Sequence, residues 1–204
     1  MKHPAKTDSG MTLMELMATV VVVSILTIGL GLTTRTIQDH YARDTVKGDV
    51  RQYGNMVMKE ILHDISLANR MDISSMNGFS RITIFKLDEN NQPVRTSVSA
   101  FVTQGLKINN RDPLNGQLHF PDGGRFKHLQ TILLTDFSVR EIPVIRPSLA
   151  KFASSTYDIT LEITIKPKYE GREKIDSEVL RFKRRIFMPM KYVTQNNNSV
   201  QNLL

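Results

Sequence analysis

The side chains that could do chemistry are few and scattered. Cysteine is absent, which removes thiolate nucleophiles, thiolate metal sites and disulfides together. The histidines are His3, His40, His63, His119 and His128, and no pair has metal-ligand spacing. Asp112, Asn115 and Asp122 could offer oxygens to calcium, but their spacing fits no calcium loop and reads as ordinary turn chemistry. His63-Asp64 lies in a helical pattern with no placed serine, and nothing resembles a nucleophile elbow or a phosphate loop. Met56/Met58 and Met188/Met190 read as packing residues. The expectation is a protein that is not an enzyme and holds no metal and no cofactor. One acid remains to be explained, Glu15, the only charge between Met11 and Leu32.

Residues 1–10, MKHPAKTDSG, are polar and mildly basic, and Leu16–Thr34 contains no charged residue. As a helix, the 22 residues from Met11 to Leu32 would reach about 33 Å, against a hydrocarbon thickness of roughly 30 Å. A buried core helix would carry a polar stripe, and this run has none. A carboxylate at bilayer depth costs about 2.5–3.5 kcal/mol and needs a partner. In a first helical turn the positive end of the helix dipole favours it.

The stretch Ser9-Gly10-Met11-Thr12-Leu13-Met14-Glu15-Leu16-Met17 resembles the prepilin signal of type IV pilins, pseudopilins and competence pseudopilins. The match is close at Gly10, Thr12, Leu13, Glu15 and Leu16. It departs at Met11, where phenylalanine is usual. The resemblance implies cleavage after Gly10 by a membrane-embedded prepilin peptidase, which usually also methylates the new amino terminus, here Met11. It implies a pilin fold, and a Glu15 that pairs with the amine of a neighbouring subunit and so guides assembly. The implied partners are the prepilin peptidase/methyltransferase, other pilins or pseudopilins in a filament, the inner-membrane assembly platform and the membrane. The amino end would lie in the cytoplasm and the carboxyl-terminal domain outside. No proline lies near the end of the apolar run and no disulfide can form. Both absences point towards a minor subunit.

The elements that would position this signal follow from periodicity. Ile37, Tyr41, Val46, Val50, Tyr53, Val57, Ile61, Ile65 and Ala68 recur mostly at three- or four-residue steps. Asp39–Arg43 and Asp44–Lys47 place opposite charges at helical spacing. No proline interrupts Thr33–Asp72, so the membrane helix is expected to run on as an amphipathic one. Beyond Arg81 the period becomes two, with strands expected at Arg81–Leu87, Val94–Thr103, Gln117–Phe120, Gln130–Val139, Tyr157–Lys166 and Glu178–Met188. The predicted fold class is α+β, a long helix packed on antiparallel sheet. The expected divisions are a leader over 1–10, a transmembrane helix over 11–34, its amphipathic extension over 35–72, a β-rich domain over 73–193 and a disordered tail over 194–204.

The formal net charge is +7 and the isoelectric point about 9.7, which invites a nucleic-acid reading. The excess is local, because Lys166–Lys191 alone carries +5. Within it Arg181, Lys183 and Arg185 share one strand face, opposite Leu180, Phe182, Ile186 and Met188; Arg184 breaks the pattern, facing inward or sitting at a bulge. Three functions are therefore weighed. The leading one is a structural subunit of a type II secretion pseudopilus or type IV pilus. The second is a minor pilin with a DNA-uptake or adhesion role through Arg181, Lys183 and Arg185. The third is a secreted periplasmic binding protein cut near Leu32.

Overall fold

The computed structural model describes residues 12–87, 90, 92–144, 146–168 and 177–201. The expected cleavage residues Gly10 and Met11, and the turn expected around Gly171, lie outside the described residues. The fold is α+β: one long helix, α1 (Leu13–Ser66, 54 residues), precedes two antiparallel sheets. The chain divides after Thr45 into two compact units.

In the first unit every side chain from Thr12 to Gln38 is exposed. This stretch of α1 is long and apolar enough to cross a membrane. Its hydroxyls fold back on the helix. Thr19 donates to the Glu15 carbonyl at 2.7 Å, Ser24 to Val20 at 2.7 Å, Thr27 to Val23 at 2.8 Å and Thr33 to Gly29 at 2.9 Å. Each is thereby satisfied without water, which is what an apolar solvent demands.

In the second unit, Val46, Val50, Tyr53, Val57, Met58, Ile61 and Ile65 of α1 are buried. Their spacing keeps one stripe of the helix against the sheets. The first sheet is a meander of β1 (Ala68–Met76), β2 (Phe79–Leu87), β3 (Pro93–Phe101) and β4 (Gly105–Ile108). The second runs β5 (Gln130–Glu141), β6 (Thr156–Pro167) and β7 (Glu178–Phe187). Alternation fills the core: Ile82 and Ile84 from β2, Val98 and Ala100 from β3, and Ile159, Leu161, Ile163 and Ile165 from β6. A register shift between Leu134 and Asp136 lets β5 bury both Leu134 and Phe137.

Five expectations need correction. The helix ends at Ser66, not Asp72, because Arg70–Met76 pairs residue by residue with β2. Ala68 and Met71 are buried in that strand, positions that a helical period also accommodates. Gln117–Phe120 is irregular, and the strand of that region is β4, whose four residues are too few to display a period. Residues 194–201 are not a disordered tail. They belong to the helix α4 (Pro189–Gln201), which begins at a proline suited to a first turn. Lys191 fastens α4 by donating to the Tyr157 hydroxyl at 2.5 Å and the Ser154 carbonyl at 2.6 Å. Arg184 sits at no bulge, since β6 and β7 pair without a register shift; its exposed side chain shares the strand face of Leu180, Phe182 and Ile186. Finally, Lys47 reaches Glu178 at 2.8 Å rather than Asp44.

Candidate functional site at the start of the long helix

Thr12 and Glu15 form a reciprocal cap. The Thr12 backbone N–H donates to Glu15 Oε2 at 2.8 Å, and the Thr12 hydroxyl donates to the same oxygen at 3.0 Å. The Glu15 N–H donates back to Thr12 Oγ1 at 3.3 Å. This is the Ser/Thr-x-x-Glu capping box, which satisfies orphan N–H groups at a helix start. The spacing Thr12-Leu13-Met14-Glu15 is the linear signature of this cap. The cap turns the carboxylate towards the amino end of its own helix.

The basic strand is built differently from its linear sequence. β6 and β7 are in register so that Asp158 faces Arg185, Thr160 faces Lys183 and Glu162 faces Arg181. Arg185 binds Asp158 through two bonds of 2.8 and 3.0 Å. Arg181 donates to Glu162 at 2.5 Å, and Lys183 lies 4.0 Å from Asp158. The Arg185 guanidinium holds the Asp158 carboxyl below the usual carboxylate range. On β5, Asp136 and Arg140 complete the face opposite Glu162 and Asp158. The strand's charge is largely answered by its neighbours, so the face is a mixed ionic lattice rather than a cationic track. Alternation had placed Asp158 and Glu162 on one face; only register reveals that it is the same one.

The remaining sequence candidates are not brought together. Asp112 binds Lys107 at 2.6 Å and His119 at 2.9 Å, and the Lys107 bond above all keeps its carboxyl low. Asp122 accepts from the Gly124 N–H at 2.9 Å and from Lys127 at 3.1 Å, with the backbone bond the main cause of its lowered pKa. Asn115 takes a left-handed conformation, φ 56°, within a single turn, α2 (Pro113–Gly116). Among the described residues no three His, Asp or Glu side chains are grouped as metal ligands.

Compared with known proteins, the chain matches no family model, no curated protein and no solved structure.

Proposed function

We propose that this chain is a structural subunit, a minor pseudopilin or minor pilin, of a type II secretion pseudopilus or type IV pilus. One observation carries the reading. Glu15, held by Thr12 in the first helical turn, is the only charge in an otherwise apolar, exposed helical run, directly after a basic leader ending in Gly10. In this reading the leader is cut after Gly10, the Met11 amine becomes a cation at about the depth of the carboxylate, and the Thr12 cap keeps the carboxylate occupied within its own chain. Residues 11–34 anchor the subunit in the inner membrane, with the β-rich domain outside. Two charges at bilayer depth are each expensive. A carboxylate from one subunit and an amine from the next relieve that cost only at one axial offset, so charge sets the register and the apolar surface supplies contact area.

Mass spectrometry of the mature amino terminus, in cells with and without the prepilin peptidase, tests this. A peptidase-dependent terminus at Met11 is expected. A terminus at Met1, or near Leu32 as for a cleaved signal sequence, overturns it.

A further inference from the structure

The sequence contains two asparagine–glycine pairs, Asn77-Gly78 and Asn115-Gly116. Both asparagines are exposed, and both are left-handed, with φ of 54° and 56°. An asparagine before glycine can lose its side-chain amide to attack by the next backbone nitrogen, which glycine leaves unhindered. The two pairs sit in different surroundings.

Asn77-Gly78 is the whole connection between β1 and β2, since Met76 pairs with Phe79. Positive φ at both residues, 54° and 83°, makes this a type I′ turn. In such a turn ψ of the first central residue is about 30°, which holds its Cβ and the following nitrogen on opposite sides of the Cα–C bond. Turning the Asn77–Gly78 peptide plane over gives a type II′ turn, with that ψ about −120° and the glycine φ about −80°. The Asn77 Cβ and the Gly78 nitrogen are then eclipsed, the arrangement that closes a ring. The flip leaves Met76 and Phe79 in place, and glycine accepts the new φ. The Gly78 N–H donates to no described residue, and a methyl group placed on Gly78 would meet no atom within 4 Å. Type II′ favours glycine at its first central position, so the flipped turn is a minor state.

Asn115-Gly116 lacks this freedom. The Gly116 N–H donates to the Asp112 carbonyl at 2.8 Å, and the Leu118 N–H to the Pro113 carbonyl at 3.0 Å. The Leu114 N–H is held by Glu60 of α1 at 2.8 Å. Turning the Asn115–Gly116 plane would break the first of these bonds.

We propose that Asn77 is a site of spontaneous covalent modification and that Asn115 is spared. Hydroxide removes the Gly78 amide proton, and the nitrogen attacks the carbonyl carbon of the Asn77 side chain. A C–N bond to Gly78 forms, closing a succinimide. The C–N bond of the side-chain amide breaks, and its nitrogen takes a proton from water and leaves as ammonia. Water then opens the ring at either carbonyl, giving aspartate or an isoaspartyl linkage. One water is consumed and one ammonia released, with nothing oxidised or reduced. Both products bring a new carboxylate, and the isoaspartyl form also adds a carbon to the main chain. That carbon falls in a two-residue turn beside the buried Phe79. Next to Phe79, the Ser80 hydroxyl accepts the Val139 N–H of β5 at 3.1 Å, so the lengthened turn should loosen the two sheets where they meet.

The test is peptide mapping by mass spectrometry of the full-length protein, aged in detergent at mildly alkaline pH in heavy-oxygen water. Asn77 is expected to take up solvent oxygen at least about fivefold faster than Asn115, the factor that one intact backbone hydrogen bond supplies. In urea the two rates should converge, which shows that the fold and not the neighbouring residues sets the difference. Glu60→Ala, which frees the Leu114 N–H, should speed Asn115 severalfold and leave Asn77 unchanged. Hydrogen exchange at Val139 should accelerate in the aged protein and not in aged Asn77→Gln. Equal rates in the folded protein, or a faster Asn115, overturn the proposal. A difference that persists in urea overturns its structural cause.

Discussion

Gly54 of α1 lies directly beneath the ring of Phe182. A methyl group added at Gly54 would stand 2.3 Å from Phe182 Cζ and 2.4 Å from Cε2. Replacing glycine by alanine inside a helix normally gains up to about 1 kcal/mol. Here the overlap should cost about 1–3 kcal/mol, so Gly54→Ala is expected to destabilise the full-length protein in detergent, read by urea unfolding. Adding Phe182→Leu should recover much of the loss. Gly48→Ala, where the added methyl meets nothing within 4 Å, should stabilise instead. Equal effects at the two glycines would contradict the packing described.

Tyr53 closes the same core from the other side. Its hydroxyl accepts the Leu106 N–H at 2.9 Å, and its ring meets Phe120 edge-on with centroids 5.2 Å apart. Tyr53→Phe keeps the ring and orphans a buried N–H, a loss of about 1–3 kcal/mol. Hydrogen exchange at Leu106 should accelerate more than at neighbouring β4 amides. Unchanged protection there would show that the bond contributes nothing.

The carboxylates give opposing pH dependences. The pKa of Asp158 is lowered by its bond to Arg185, below an unfolded value near 3.8. The stability it contributes is therefore complete above about pH 4 and lost as the pH falls through its folded value. Burial pushes Glu60 above an ordinary value of 4.5, so its contribution is present below that value and lost as the pH rises through its folded one. Asp158→Asn should flatten the acid limb of a melting-temperature profile, modestly, because solvent screens an exposed pair. Glu60→Gln, which can still accept the Leu114 N–H, should raise the melting temperature at pH 7 relative to acid. Parallel profiles for both variants and the parent would refute the assignment.

The Thr12–Glu15 cap separates two roles of the helix start. Thr12→Val removes the hydroxyl that both donates to Glu15 and accepts its N–H. If carboxylate orientation matters for assembly, Thr12→Val should lower incorporation into sheared filaments severalfold, while Thr12→Ser incorporates like the parent. Glu15→Ala should abolish incorporation without preventing insertion into the membrane. Wild-type incorporation of Glu15→Ala would remove the basis of the proposed function.

Much of this architecture was readable because alternation survives in the longer strands. In β6, Ile159, Leu161, Ile163 and Ile165 point inward and Asp158, Thr160 and Glu162 outward, as the linear pattern dictates. What resisted reading was set by tertiary pairing. The boundary at Ser66 falls where Ile65 and Ala68 fit both a helix and a strand, and β2 decides. Four residues of β4 hold no period. The start of α4 is held by Lys191 finding Tyr157, 34 positions earlier in the chain. At the helix start, the carboxylate is legible from its isolation in an apolar run and Thr12 from the motif, whereas the bonds between them emerge only with the helix turn. The pairing of Lys47 with Glu178 could not be read, because local spacing favoured Asp44.

Arg184 has a consequence for crowding. β7 is one of the two edge strands of its sheet, and its backbone could in principle template a strand from another molecule. A charged side chain on the face that Phe182 uses for packing would have to be buried unpaired if the sheet were extended there. Subunits concentrated by a membrane or a fibre therefore gain little by joining their sheets along β7.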